Sequence, residues 1–517
     1  MKIFTIRLLH EPLLLQAARC PEKTALITAD KTLTYGQFAQ KALKLASYLN
    51  ANGLEKGGRV GIYMDNTWQC CVSIYAVLIS GGVFHIINPQ TKSKKLKYIL
   101  KDSGAKFLIT DGHLLKQVVP VIDDILSSLQ VIFSGKANGK TGSLKNFVHY
   151  DSIFEILHYT LPLINNIPVN LAALIYTSGT TGDPKGVMMT HQAMVFACES
   201  ICEYLRLDEE QRILCAIPLA FDYGLYQLLM SVRMGATLIL ERSFVFPALI
   251  VKSIKLNKAT VFPGVPTMFR TLISMNDRKE ISFPSIERIT NTAAALFPDL
   301  IPGLKKIFPN ALIFKMYGIT ECKRISYLEP ELIDEKSASV GKAIPGTEMF
   351  LLSEKGDKVP PGKTGILHVR GPHIMQGYWK KDDLSRKVLK KSSIPNDRVL
   401  CTQDLFTMDK DGYFYFKARS DDIIKTRGEK VSPMEVENVI YGIKGVKEVA
   451  VIGVLDNLLG EIVKAFVVRE RGYAVNEKDI KKACSRQLEN FMIPKEIVFV
   501  KKLLKTSSGK ISKKNLS

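Results

Sequence analysis

The 517-residue sequence contains no CxxC pair and no cluster of Cys and His at zinc-ligand spacing. Its nine cysteines are scattered and odd in number, which excludes a closed disulfide framework and fits a reducing cytosol. Cys198 and Cys202 share a helical spacing, but with no His beside them they read as packing residues rather than metal ligands. Long hydrophobic runs are also missing. The longest uncharged stretch, Cys70 to Asn88, is broken by Gly81-Gly82 and His85 and closed by Asn88-Pro89. It predicts a buried helix running into a core strand, not a transmembrane segment. Near the N-terminus, Leu13, Leu14 and Leu15 form an apolar patch. Glu11 and Arg19 flank it and no small-residue cleavage site follows, so no signal peptide is expected and the expected location is cytoplasmic. Low-complexity segments and internal repeats are absent.

Negative charge is in short supply. With 71 Lys and Arg against 50 Asp and Glu, the chain carries a formal charge of +21, which favours anionic partners such as nucleotides, coenzyme A or acidic proteins. Lysines thicken only at Lys501, Lys502, Lys505, Lys510, Lys513 and Lys514, without interleaved aromatics. No nucleic-acid partner is expected from that pattern.

The composition, 46% hydrophobic and 23% charged, is that of a soluble globular protein, and the length calls for two or more domains. A capped helix is predicted after Thr34, with apolar positions at three-to-four spacing from Phe38 to Leu49. Short apolar runs at Arg59–Met64, Lys106–Thr110, Leu171–Tyr176, Ala236–Leu240 and Ala259–Phe262 alternate with helical patterns and predict α/β architecture with parallel sheet. Past Lys336, Gly and Pro punctuate short strands, which suggests a small β-barrel. From Arg419, helical patterns at Pro433–Tyr441 and Glu477–Leu488 interleave with strands and predict a compact α+β domain. The expected organisation is therefore a large domain, 1–418, of two α/β subdomains plus the β-rich module, and a small C-terminal domain, 419–517.

The segment from Leu171 to Gly186 carries the most chemistry. An apolar strand runs into Thr177-Ser178-Gly179-Thr180-Thr181-Gly182-Asp183-Pro184-Lys185-Gly186. Glycines let a backbone approach phosphate closely, hydroxyls and N–H groups donate, and Lys185 adds a point charge. A plain Ser/Thr/Gly turn has the same composition. The Walker A spacing is not met here, nor at Ser508-Gly509-Lys510.

This loop resembles that of the AMP-forming superfamily, which includes acyl-CoA synthetases, amino-acid adenylation domains and firefly luciferase. Four further stretches resemble that superfamily's motifs in the same order: Tyr317-Gly318-Ile319-Thr320-Glu321; Cys401-Thr402-Gln403-Asp404-Leu405, with Gln403 where Gly is usual; Arg419 to Pro433; and Lys505-Thr506-Ser507-Ser508-Gly509-Lys510-Ile511. Asn291 to Leu296 stands at the adenine-binding stretch with Ala in place of Gly.

The resemblance implies ATP and Mg²⁺ as reactants, with a small-molecule carboxylic acid adenylated and then passed to a thiol. It implies that Thr177, Ser178, Gly179, Thr180, Thr181 and Lys185 hold phosphates, and that Ala294 and Tyr317 border adenine. Asp404 and Arg419 would hold ribose, Thr320 and Lys510 the α-phosphate and carboxylate, and Glu321 the metal. Asp421 would be the hinge of a mobile small domain, and Gly428 would line the thiol tunnel.

Two acceptors stay open: coenzyme A, or the phosphopantetheine of a carrier protein, which would be a separate chain. The segment Pro218-Leu219-Ala220-Phe221-Asp222 bears on the choice. Asp222 at the acid pocket suits an α-ammonium and opposes a fatty chain unless paired, and it would equally serve as a helix N-cap. A nucleotide-sensing or nucleic-acid-binding protein is the remote alternative.

Overall fold

The computed structural model describes residues 6–125, 129–137, 146–155, 165–177, 184–294, 296–392, 394, 397–419, 422, 424–426, 429–456, 460–506, 511–513 and 516. The predicted capped helix is Tyr35–Ala51, with Thr34 and Gln37 forming a reciprocal capping box. The uncharged run divides as expected into a buried helix, Trp68–Ile79, and a fully buried strand, Val83–Ile87. Among the described residues, no helix is long and apolar enough to cross a membrane.

Two large sheets form the body. One has nine strands in the order 342–343, 326–328, 312–317, 288–291, 261–264, 212–215, 237–240, 24–27 and 32–34. The other has eight, ordered 377–378, 185–190, 171–177, 83–87, 59–63, 107–111, 130–134 and 147–149. The centres are parallel, as the alternating pattern requires. Antiparallel pairs occur at the flanks, where consecutive strands meet without an intervening helix and where 377–378 joins 185–190 from far along the chain. One continuous apolar core spans both sheets and the helices between them.

The β-rich module differs from the barrel expected of its texture. It is a five-stranded antiparallel sheet, 348–352, 364–370, 398–408 and 389–391, with 414–419 also on 398–408. Among the described residues its edge strands are not joined. The reason lies in the long strand Arg398–Met408, whose two halves pair with different neighbours and whose register shifts at Leu405/Phe406. The last strand of this sheet ends at Arg419. A separate five-stranded sheet begins at Ile424 and packs against the helices Pro433–Tyr441 and Glu477–Gln487 around its own core.

Candidate functional site

The phosphate-loop segment is the connection of a hairpin. Leu171–Thr177 and Lys185–Thr190 pair antiparallel with Thr177 opposite Lys185, so both lie at the loop's mouth. Ser178, Gly179, Thr180 and Thr181 fall outside the described residues. On its other edge the Lys185 strand pairs antiparallel with a two-residue strand, Gly377–Tyr378, with Tyr378 opposite Val187. Lys185 Nζ sits 5.3 Å from the centre of the Tyr378 ring, a cation over a π face. Tyr378 in turn donates its hydroxyl to Glu321 Oε1 at 2.8 Å. Burial, reinforced by the Glu321 charge, raises this phenol above its ordinary value, so it keeps its proton and remains a donor.

Glu321 and Thr320 are carried on the turn between the strands Leu312–Tyr317 and Ser326–Leu328. The turn is tight: a Cβ on Gly318 would stand 2.1 Å from the Lys323 carbonyl, so glycine is required there. Met375 N–H donates to the Glu321 carbonyl at 2.8 Å and fixes the turn against the Tyr378 segment. Glu321 Oε2 has no partner among the described residues. A hard oxygen donor with one free lobe, close to a lysine at a phosphate-type loop, fits Mg²⁺ shared with phosphate oxygens.

A second cluster joins three of the sequence motifs. Tyr317 donates its hydroxyl to Asp404 Oδ2, and Arg419 Nε donates to Asp404 Oδ1 at 3.0 Å. Asp404 lies opposite Arg419 in the strand register and is almost wholly buried. Burial foremost, then Asp404, holds the Tyr317 phenol well above its usual range. The Tyr317 ring meets Phe406 edge-on at 5.0 Å. Gln403 adopts φ +61° and Ala293 φ +71°. Gln403 stands where the resemblance expects glycine, and Ala293 lies in the stretch where Ala replaces Gly; a positive φ is a conformation that glycine adopts without strain. Ala294, beside Ala293, is exposed.

Asp222 does not cap its helix. The N-cap of Asp222–Met234 is Phe221, with no side-chain cap bond, and Asp222 is the first helical residue. Its carboxylate accepts from Lys323 Nζ at 2.8 Å, with the two side chains 13% and 1% exposed. Lys323 takes φ +64° on the Glu321 turn. Neither this lysine nor Tyr378 stood out in the sequence, because each acquires its partner across 101 or 57 residues. The only local signal was the Cys322-Lys323-Arg324 run directly after Glu321.

Asp421, Gly428 and Lys510 lie outside the described residues. Their flanks are defined. Lys505 bridges Ile511 across the terminal loop and its ammonium meets Glu448 at 2.7 Å. The helix Pro433–Tyr441 meets the large sheet region through Tyr441, which stacks on Phe297 at 4.6 Å and receives Arg270 at 4.3 Å. Phe297 follows Ala294 by three residues, so the C-terminal unit abuts the expected adenine segment. Cys198 and Cys202 are buried and unpaired by disulfide.

Comparison with known proteins agrees with this geometry. The model of the AMP-binding enzyme family matches residues 13–379, and that of the AMP-binding enzyme C-terminal domain matches 435–510. A long-chain-fatty-acid–CoA ligase of Bacillus subtilis is 31% identical over 97% of this chain and 92% of its own. A feruloyl-CoA synthase of Amycolatopsis is 29% identical over 96% of each chain. The o-succinylbenzoate coenzyme A synthetase of Bacillus subtilis, solved with ATP and magnesium ion, superposes with a TM-score of 0.83 at 26% identity, covering 98% of both chains. With the motifs in order, Tyr317, Asp404 and Arg419 brought together and both family models matched, the chain belongs to the AMP-binding enzyme family.

Proposed function

We propose that the chain is an AMP-forming acyl-CoA ligase: it joins a carboxylic acid to the AMP portion of ATP, releases pyrophosphate, and passes the acyl group to the thiol of coenzyme A. The observation that carries the choice of acid is the Asp222–Lys323 pair. A carboxylate free at the acid pocket would receive a substrate α-ammonium, but here Lys323 Nζ already fills that place at 2.8 Å. The acid that fits beside a neutralised pair has no ammonium group, which favours a fatty or aryl acid over an amino acid.

A carboxylate is a poor electrophile because its leaving group would be oxide. Adenylation supplies a better one, and charge gathers on the phosphoryl oxygens in that transition state. Fixed donors are then worth more than an acid or a base. In this reading Thr177 and Lys185, with Ser178 to Thr181, hold the β- and γ-phosphates. Thr320 and Lys510 face the α-phosphate and the carboxylate, and Glu321, oriented by Tyr378, would hold Mg²⁺, which when bound neutralises phosphate charge. Asp404, aligned by Tyr317 and Arg419, receives the ribose hydroxyls, and the backbone at 293–294 borders adenine. The second half-reaction needs a thiol where Lys510 stood. We assign that exchange to a movement of 419–517 about Asp421, which would bring Gly428 to the thiol path. The nine unpaired cysteines accord with a reducing cytosol.

The test is pyrophosphate exchange with purified protein over fatty, aryl and amino acids, repeated with coenzyme A. Exchange with fatty or aryl acids and formation of their coenzyme A thioesters is the expected result. Exchange confined to amino acids, with no turnover of coenzyme A, overturns the assignment.

A further inference from the structure

The helix Pro247–Leu256 and the turn before it present an apolar face to solvent. Among the described residues, Val245 is 71% exposed, Phe246 67%, Leu249 58% and Leu256 74%. These four sit within twelve residues, whereas the other exposed large apolar side chains are scattered along the chain. Isolated exposed apolar residues need no explanation, but a contiguous group does.

Helical geometry makes the group contiguous. At 100° per residue, Leu249, Lys252 and Leu256 project from one side, and Ala248 and Lys255 flank them. The inward side carries Ile250, Ser253 and Ile254, all buried, centred about 120° around the helix from the outward group. The helix therefore spends one side on the core and leaves two leucines interspersed with lysines on the other, where a surface helix would ordinarily be polar. The preceding turn is firmly held. Phe244 packs against the core, and the Phe246 carbonyl accepts from Leu249 N–H at 3.0 Å. Val245 and Phe246 consequently stand out beside the first helical turn.

The rim is basic. Arg242, Lys252, Lys255 and Lys258 are exposed, and none makes an ion pair among the described residues. Glu241 is the only acid between 241 and 260. The whole chain carries +21, so its long-range field has the same sign as the rim.

We propose that this face docks the protein onto an anionic lipid surface, with Val245, Phe246, Leu249 and Leu256 entering the headgroup boundary and the four cations meeting lipid phosphates. Charge complementarity selects this occupant. A second copy of the same chain would bring four cations against four, while an anionic bilayer offers both an apolar layer and negative headgroups. The helix is far too short to span and lies in the surface plane. The inference goes beyond the ligase reading and does not depend on it, because a binding measurement detects it whatever the activity.

The experiment is co-sedimentation of the full chain with vesicles of phosphatidylcholine alone and of phosphatidylcholine mixed with phosphatidylglycerol. Binding is expected only to the mixed vesicles and should weaken as salt rises. Phe246→Ser with Leu249→Ser should lower the partition coefficient about tenfold or more, and Lys252→Glu with Lys255→Glu should lower it by a similar factor. Each variant should retain the parent's melting temperature, since the replaced side chains face solvent. Absence of binding to the mixed vesicles overturns the proposal, as does binding that neither variant weakens. Sedimentation velocity supplies the other decisive result: a dimer that the Phe246→Ser, Leu249→Ser variant dissociates would make the face a contact between copies.

Discussion

Replacing Lys323 by Met tests the reading of the acid pocket most directly. Lys323 Nζ lies 2.8 Å from Asp222 Oδ1, and the two side chains are 1% and 13% exposed, so solvent screens the pair little. At an effective dielectric constant of about 20 the Coulomb attraction is about 6 kcal/mol. Desolvation offsets much of it, which is why such a pair as a whole adds little stability. Removing one partner is another matter, because it strands the other charge. Lys323→Met should destabilise the fold by about 3–5 kcal/mol, and Asp222→Leu by a similar amount, whereas the double variant should lose only about 1–2 kcal/mol. Urea denaturation of the four proteins completes the cycle. Single losses below about 1 kcal/mol, or losses that simply add in the double variant, would refute the claim that the two charges depend on each other. The same variant has a chemical readout. With Lys323 gone, Asp222 is free to receive an ammonium, so Lys323→Met should show pyrophosphate exchange with an apolar α-amino acid that the parent ignores. Unchanged selectivity would mean that Lys323 does not stand in the place of a substrate ammonium.

Five further outcomes are expected. Tyr378→Phe removes the hydroxyl that orients Glu321 and should lower the apparent Mg²⁺ affinity in pyrophosphate exchange about 10- to 100-fold, a loss that titration with Mg²⁺ reveals. Gln403→Gly relieves a left-handed residue at φ +61° and, after the entropy that glycine costs, should gain up to about 1 kcal/mol in thermal denaturation. Lys510→Ala should slow adenylation about 10²- to 10³-fold, while Asp421→Pro should spare pyrophosphate exchange and suppress thioester formation; equal loss of both half-reactions would remove Asp421 from the hinge. Acid should destabilise the protein through His85 and His191, which burial lowers to about 3 in the folded chain. Below the unfolded value of about 6.5 the unfolded state takes up protons that the folded state refuses, so each costs about 1.4 kcal/mol per pH unit, a slope that denaturation between pH 7 and pH 5 measures.

The sequence by itself determined the elements and the type of chemistry, because both are written locally. Thr34 with Gln37 announces a helix start, Cys70 to Asn88 announces a helix and a core strand, and the order of the motifs from Thr177 to Lys510 marks the family. The alternation of apolar runs with helical patterns likewise required parallel sheet with helices on its faces. What no local pattern encodes is which partner a polar group finds across the fold. Tyr378 reaches Glu321 only because its two-residue strand adds to the edge of the hairpin that bears Lys185. Among the described residues the β-rich module is a five-stranded sheet whose one long strand divides between two neighbours, a matter of register that turn residues do not specify. Asp222 could be read as an ammonium ligand or as a cap while its sequence neighbours alone were in view. The helix starts from Phe221 instead, and the carboxylate, removed from water, is paired with Lys323 on a turn 101 residues away, a partner that only the tertiary structure supplies.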